Sequence, residues 1–340
     1  MTALSSNYPT LLDLAKRLGP DGKVIHDIVE ILDTNNDILD DLAWAEGNLP
    51  TGHLVGIRTG IPEPTFAKLY GFTPTSKSTV EQVTESCAML KNYAVVDADL
   101  AKINGYAPDW MLSEQKPFIE GFNRKLSRSL FYANEAVESE AFTGLAPRYN
   151  SKAAENGCNI VLESPTTSPD NADNCSIWLM VSSPETIFGI YPKGSTLGLT
   201  IKDDGEVVET NAAGEKRRVL QTYYNWNVGL CVKDWRYAVR IQINQEDLTR
   251  DASAGPKLLD LMDEAIDLIP NMNAGRAAFY CPRRVRSFFR SQARNFAKGT
   301  ITVDQLTRPN GARISLPMYD GIPIRLCDAL TNTEAGISLT

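Results

Sequence analysis

Histidine is almost missing from this chain: 340 residues contain two, His26 and His53. Neither stands at ligand spacing from a cysteine or from the other, which argues against a zinc-type metal site. A Ser-His-Asp triad would have to use one of the same two residues, and neither is suitably placed for it. Cysteine is sparse as well. The six thiols at 87, 158, 175, 231, 281 and 327 form no Cys-x-x-Cys pair. Scattered in this way they read as small hydrophobes of a reducing compartment, and the expected site of synthesis is the cytosol. Long apolar runs are absent too. None approaches the ~18 residues of a membrane span, and Met1 to Pro9 has neither the basic nor the apolar region of a signal peptide.

Phosphate-binding and nucleophile motifs are lacking. No Gly-x-Gly-x-x-Gly follows a strand pattern, and Lys193-Gly194-Ser195 lacks the glycine-rich lead of a phosphate loop. There is no Gly-x-Ser-x-Gly elbow. Asp33-x-Asn35-x-Asp37 starts like a calcium loop, but Ile38 takes the glycine position and Trp44 the terminal glutamate position. No cofactor is therefore expected. The adjacent acids Asp40/Asp41 and Asp203/Asp204 can be read as an acid/base couple of a carboxylate-dependent hydrolase or, the preferred reading, as surface acids. Positive charge is also short: 34 Lys and Arg stand against 42 Asp and Glu, for a net charge of -8 and a pI near 5.0. That excludes a broadly basic nucleic-acid reader and leaves room for a local basic patch.

With 43% hydrophobic and 22% charged residues, the chain can bury a substantial core in two or more lobes. Leu11–Leu18 reads as a short helix ended by Gly19-Pro20. Helical stripes follow at Val24, Ile25, Ile28, Val29, Leu32 and, after Thr34-Asn35-Asn36, at Ile38, Leu39, Leu42. From Pro50 to Ser78 the chain is long, polar and broken by Pro50, Pro62, Pro64 and Pro74. Within it Val55, Ile57, Thr59 and Ile61 alternate like an exposed strand. Val80–Val96 supplies a return leg, with Cys87–Leu90 readable as strand or helical turn. Such a hairpin is marginal alone and needs something to lie on.

Ser113 is placed to cap a helix running to about Ala133, with Pro117 in its first turn and Phe118, Phe122, Leu126 and Leu130 on one face. Short strands are expected at Asn159–Leu162, Ile177–Val181 and Thr186–Tyr191, with a surface loop over 164–174. Val219–Asn244 alternates strongly and changes parity near Lys233-Asp234. It reads as two long antiparallel strands with one buried face, and an earlier hairpin turns near Asn211–Gly214. Pro256 opens a helix with Leu258, Leu259, Met262 and Ile266 facing in. A strand at Ala277–Tyr280, a helix at Pro282–Ala297, a hairpin pairing Thr300–Val303 with Arg313–Leu316, and a strand at Ile322–Leu326 complete the chain. Helices and mostly antiparallel strands in irregular order make an α+β protein.

Arg283, Arg284, Arg286, Arg290, Arg294 and Lys298 form the one dense basic cluster, with Arg286, Arg290 and Arg294 on a shared helical face. The face suits phosphate contact or charge pairing between subunits. It also suits a solvated surface paired with Asp260, Asp263, Glu264 and Asp267. The last two readings are preferred over DNA.

Several strings point to a family. They are Thr10–Arg17, Ile31–Asp33, Glu46–His53, Phe142–Tyr149, Gly189–Ser195, Trp226–Leu230, Asp234–Tyr237 and Gly321–Ile324. Their order resembles the major capsid proteins of tailed bacteriophages and prophages with the Hong Kong 97-type fold. The resemblance implies an N-terminal arm over 1–50 and an extended loop over 51–97. It also implies a peripheral domain with a long spine helix over 98–150 and 203–248, and an axial domain over 151–202 and 249–340. It implies pentamers and hexamers in an icosahedral head around double-stranded DNA, with no sequence-specific binding and no membrane. A separate scaffolding protein, a portal and a decoration protein are the implied partners. The virion is the implied location, with the host cytoplasm before assembly. Contacts to a neighbouring copy are expected at Val55, Ile57, Ile61, Phe66, Lys68, Phe72 and Lys77, and charge pairing at Arg286, Arg290 and Arg294. No motif selects Lys68 or Lys77 for covalent crosslinking. The alternatives are an encapsulin-like compartment shell and the hydrolase named above.

Overall fold

The computed structural model describes residues 36–102, 107–163, 173–210, 214–249, 257–295, 301–307 and 313–339, and only the backbone of 107–116, 293–295, 301–307 and 313–317. The expected helices before Asn36, the loop at 164–172, the turn at 211–213, Pro256 and the end of the basic helix at 296–297 lie outside the described residues. In chain order the strands are β1 (Trp44–Glu46), β2 (Gly52–Gly60), β3 (Thr79–Asp97), β4 (Ile160–Leu162), β5 (Asn174–Ser182), β6 (Ile187–Tyr191), β7 (Thr200–Thr210), β8 (Lys216–Val232), β9 (Ala238–Asn244), β10 (Arg276–Cys281), β11 (Ile301–Thr307), β12 (Arg313–Tyr319) and β13 (Ile322–Leu326). The longer helices are α1 (Ala107–Tyr132), α2 (Leu258–Asp267) and α3 (Arg283–Asn295). The mix of helices with one large sheet is α+β.

The chain divides into two compact units. The larger holds residues 36–88, 127–163, 173–196 and 228 onward, and its centre is β5. This strand pairs antiparallel with β9 on one side and β10 on the other. The sheet continues from β10 through β13 and β12 to β11, while β4 and β1 add parallel strands to β9 and β6. All nine residues of β5 are buried, because both faces of the sheet are covered. On one face Ile177, Leu179, Val181, Val239, Ile241 and Phe279 pack with Leu258, Met262, Val285 and Phe289 from α2 and α3. On the other, Trp178 meets Phe131 and Tyr149 at ring-centroid distances of 6.0 and 5.7 Å. A strand buried on both sides reads as a continuous apolar run, which is what 177–181 shows in the sequence.

The smaller unit includes 89–102, 107–126, 197–210 and 214–227. Its core joins Ala94 and Leu90 of β3 to Phe118 and Phe122 of α1 and to Tyr224 and Trp226 of β8. Phe118 stacks on Tyr224 with centroids 5.4 Å apart and planes 12° from parallel. β7 pairs antiparallel with β8 from Thr200↔Asn225 to Thr210↔Lys216, so the two strands of the expected hairpin pair. Cys87–Leu90 is strand throughout, within the 19 residues of β3.

Two expectations are corrected. The long helix begins at Ala107, so Ser113 lies inside it and Pro117 is an interior residue. The proline whose missing N–H costs nothing is Pro108, in the first turn. Pro117 instead withholds the N–H that the carbonyl of residue 113 would accept. Strands β8 and β9 do not pair with each other. β8 bonds β6 and β7, whereas β9 lies between β4 and β5. The break at Lys233-Asp234 leads into a 3-10 turn over Trp235–Tyr237, with the Asp234 side chain accepting from the Arg236 N–H. The chain thereby moves to a different place in the sheet. All of β9 is buried, so it does not have the single buried face expected of it.

That placement takes Arg240, Gln242 and Asn244 out of water on the face opposite Val239, Ile241 and Ile243. The C-terminal segment meets Arg240 and Gln242, while Asn244 bonds Glu163 and Glu246. Arg240 donates from Nη2 to Glu334 Oε2 at 2.7 Å, from Nε to Ser176 Oγ at 2.9 Å and from Nη1 to the Tyr149 carbonyl at 2.7 Å. The hydroxyls of Tyr132 and Ser176 both donate to Glu334. Gln242 donates to the Ala335 carbonyl at 2.8 Å and accepts from the Ile337 N–H at 3.0 Å. The charged ends of Arg240 and Glu334 are 6% and 4% exposed, so each charge depends on the other. Removing one partner of such a pair costs about 3–5 kcal/mol. Glu334→Ala is therefore expected to lower the urea midpoint of the subunit strongly. A surface control, Glu138→Ala, should leave that midpoint within error.

Candidate functional site

The described residues bring no catalytic set together. Asp41 is tied to Arg325, with Nη2 to Oδ1 at 3.0 Å, and Asp203 and Asp204 stand on β7. Among the described residues, no group of three His, Cys, Asp or Glu is placed to hold a metal ion. Burial pushes the thiols of Cys175, Cys231, Cys281 and Cys327 up to about 12, which suits packing rather than reactivity; only Cys158 is exposed.

The feature that stands out is the β2–β3 hairpin. Its root is held firmly. Arg148 grips Glu85 through two parallel bonds, Nη1 to Oε1 at 2.7 Å and Nη2 to Oε2 at 2.5 Å, and also donates to the carbonyls of Thr143 and Gly144. A forked arginine–carboxylate pair fixes orientation as well as distance. Asn48 closes a ring with Leu54, accepting from its N–H at 2.7 Å and donating to its carbonyl at 2.8 Å. Gly52 and Gly229 run so close to the backbone at Glu85 and Ser86 that neither has room for a Cβ. Val55 and Ile57 pack with Phe188, Ile190 and Cys231. Of these two expected contact residues, Val55 is buried in the core of its own subunit and Ile57, half-buried, packs against it.

Beyond Gly60 the hairpin changes character. Residues 61–78 have no regular strand or helix and every one is exposed. Ile61, Phe66, Leu69, Tyr70 and Phe72 are between 83% and 109% exposed. Lys68 and Lys77 are exposed on the same segment. Prolines 62, 64 and 74 deny it ladder hydrogen bonds, which limits indiscriminate strand pairing. Large apolar side chains crowded into one water-exposed segment are the mark of a contact surface.

The basic cluster lies on α3. Arg283 is paired with Asp328 through bonds of 2.6 and 2.7 Å, and Arg284 donates to Gln245 at 3.2 Å. Two of the expected acids of α2 are used elsewhere: Asp263 accepts from the Tyr319 hydroxyl at 2.6 Å, and Asp260 pairs with Lys257. Arg283, Arg286, Ser287, Arg290 and Leu326 line an open cavity of about 450 Å³. Arg294 is in the same helix, but its side chain lies outside the described residues.

Residue patterns missed the Arg148–Glu85 and Arg240–Glu334 pairs, whose partners are 63 and 94 residues apart. The available hint was a strand, Ala238–Asn244, with arginine and glutamine alternating among aliphatics.

His53 sits at the hairpin root, edge-on to Phe188 at 5.6 Å, with Nδ1 accepting from the Asn48 N–H at 3.3 Å. Burial, and secondarily Lys233, lowers its pKa from the ordinary 6.5, against an upward pull from Glu85. The unfolded chain therefore takes up this proton more readily than the folded one. The stability contribution is complete above pH 6.5 and falls as the pH drops toward the folded-state value. His53→Gln should flatten the fall in urea midpoint between pH 7.5 and 5.5. A variant with an unchanged pH profile would refute this assignment.

Comparison with known proteins follows this geometry. A protein of the bacteriophage Epsilon15 structure aligns over 99% of this chain and 100% of its own, with 29% identity and a TM-score of 0.78. More distant likenesses include the bacteriophage JBD30 capsid (10% identity, 96% of both chains, TM-score 0.48) and an encapsulin of Synechococcus elongatus PCC 7942 (11% identity, 68% of this chain and 95% of that one, TM-score 0.42). No curated protein matches the sequence. The family model described as major capsid protein GP7 matches residues 19–338. With nearly the whole chain inside that match, this protein belongs to the GP7 family of major capsid proteins and is a subunit of a capsid shell.

Proposed function

We propose that the chain assembles into pentamers and hexamers that tile the icosahedral head of a tailed phage, enclosing double-stranded DNA, and that the 61–78 segment lies across a neighbouring copy. The observation carrying this reading is the contrast within one hairpin, a root locked by Arg148–Glu85 and a tip of bare apolar side chains. A surface on one copy meeting a different surface on the next is a heterologous contact, and such contacts close into rings when the rotation allows. Interfaces of ~1,000 Å² or more, repeated around a ring, accumulate into a stable shell though one contact is weak. Contacts to the neighbour would come from Ile61, Phe66, Phe72, Lys68 and Lys77. Val55 and Ile57 would support the loop from within.

The role is structural rather than catalytic. In support, the buried polar groups Arg240, Glu334, Ser176 and Tyr132 hydrogen-bond one another and the backbone, holding the C-terminal segment in place. Scaffolding, portal and decoration proteins are the partners this reading expects, with the virion as the final location. A net charge of -8 suits a container that does not bind its DNA broadly.

Gly60 and Thr79 are cross-strand partners, so a two-residue Asn-Gly turn can replace 61–78 without moving either strand. The shortened subunit should keep the cooperative unfolding of the parent. Negative-stain images of it, expressed with its scaffold, should show no shells, whereas the parent should form them. Normal shells from the shortened chain would refute the role given to the loop.

A further inference from the structure

The outward face of α1 carries charge that the subunit itself does not use. Phe118 and Phe122 pack into the core of the smaller unit, and Leu126 and Leu130 are buried along the same helix. Away from them Pro117, Gly121, Arg124, Lys125 and Arg128 are all exposed. Helical spacing puts these five on one stripe. Arg124, Lys125 and Arg128 make no ion pair or hydrogen bond among the described residues. Carboxylates outnumber cations in the chain, 42 to 34, yet no described one is set against this stripe. Arg124 and Arg128 are moreover one turn apart, where like charges repel and weaken a helix. Gly121 adds a second weakness, since glycine inside a helix is destabilising relative to alanine. Nothing lies within 4 Å of the place its Cβ would take, so packing in the subunit does not require a glycine there.

We propose that this stripe of α1 is a contact surface for the phosphate backbone of duplex DNA, with Arg124, Lys125 and Arg128 as the charges that meet it. Cations aligned on an exposed helix supply attraction to a polyanion without reading its bases. Gly121 keeps the stripe flat, so a sugar-phosphate backbone can come close to the helix. A protein partner fits less well, because such partners anchor through large apolar or aromatic side chains seated in pockets. The stripe offers none of these, and Ile119, 44% exposed, falls on the opposite side by helical spacing. The net charge of -8 keeps the binding confined to this surface. The inference rests on the reading of a DNA-enclosing shell for its choice of polyanion, whereas the binding itself belongs to the single subunit.

The test uses the full-length unassembled subunit and the fluorescence anisotropy of two labelled DNA duplexes of unrelated sequence, over a salt series. Each neutralised phosphate contributes about -0.9 to the slope of log K against log salt concentration. The parent should bind both duplexes alike, with a slope of about -2.7 for its three cations. Arg124→Gln, Lys125→Gln and Arg128→Gln should each make that slope shallower by about 0.9. Glutamine is a good helix former, so these variants should keep the thermal midpoint of the parent. Gly121→Glu sets a carboxylate in the stripe. It should weaken duplex binding without lowering the midpoint, a combination that damage to the fold does not produce. Equal binding and slope in parent and variants would overturn the proposal. So would a parent that binds neither duplex at low salt, or one that discriminates between them. Variants that bind duplex like the parent but form no shells with the scaffold would also overturn it, and would assign the stripe to an acidic protein. A parent that forms no shells yet binds duplex through these residues would sustain this surface while counting against the assembly reading.

Discussion

The rest of the larger unit depends on a buried charge. Arg240 stands in β9, between β4 and β5, and its side chain is almost wholly shut off from water. A strand in that position cannot keep an arginine unless the chain brings a carboxylate to it, because an isolated buried ion costs far more than a folded domain can supply. Glu334 is that carboxylate. In meeting Arg240 it draws the C-terminal segment across the sheet, where Gln242 holds it by two further bonds. The same arginine reaches the Tyr149 carbonyl and lies over the Trp178 ring at 5.5 Å, so the aromatic face is set by it as well. An apolar replacement of the pair could match its stability. What the ionic version adds is a single register for the tail.

A rigid platform of this kind is what makes an exposed loop useful. Apolar side chains bared to water are costly in a lone subunit, and their cost is recovered only on another surface. The Arg148–Glu85 fork and the Asn48–Leu54 ring fix the direction in which the segment leaves. Fixing it reduces the conformational entropy lost on contact, the main charge against a weak interface. Prolines 62, 64 and 74 work toward the same end, since a segment that cannot form a ladder does not stack with its own kind before assembly.

Much of the fold was legible from periodicity. The apolar run at 177–181, the four-residue repeat from Phe118 to Leu130 and the alternation at 224–232 each correspond to an observed element, because each pattern depends on burial of one local face. The failures share a cause. Pro117 was legible as a first-turn proline only if the helix began near it, and the helix draws its stability from tertiary packing of Phe122, Leu126 and Leu130 rather than from its local sequence. Strands β8 and β9 are adjacent in sequence with opposite parity, which reads as a hairpin; pairing partners, however, are chosen across the whole sheet. Of the candidate surface, composition showed a long, polar, proline-broken segment, and not that its large apolar side chains stand bare in water. Nor did it show the division at Gly60, with Val55 and Ile57 inward and Ile61 onward outward.

By itself the sequence determined the class of elements, the absence of metal and nucleophile motifs, and a proline-broken segment with no core of its own. All of these are local properties, set by residue type and spacing. Tertiary structure alone decided which charges are buried and with whom, where the hairpin leaves the core and becomes exposed, and that Arg283, Arg286 and Arg290 of α3 line a cavity. The two buried ion pairs depend on residues 63 and 94 positions apart meeting in a low-dielectric interior, where one unmatched charge outweighs any local preference.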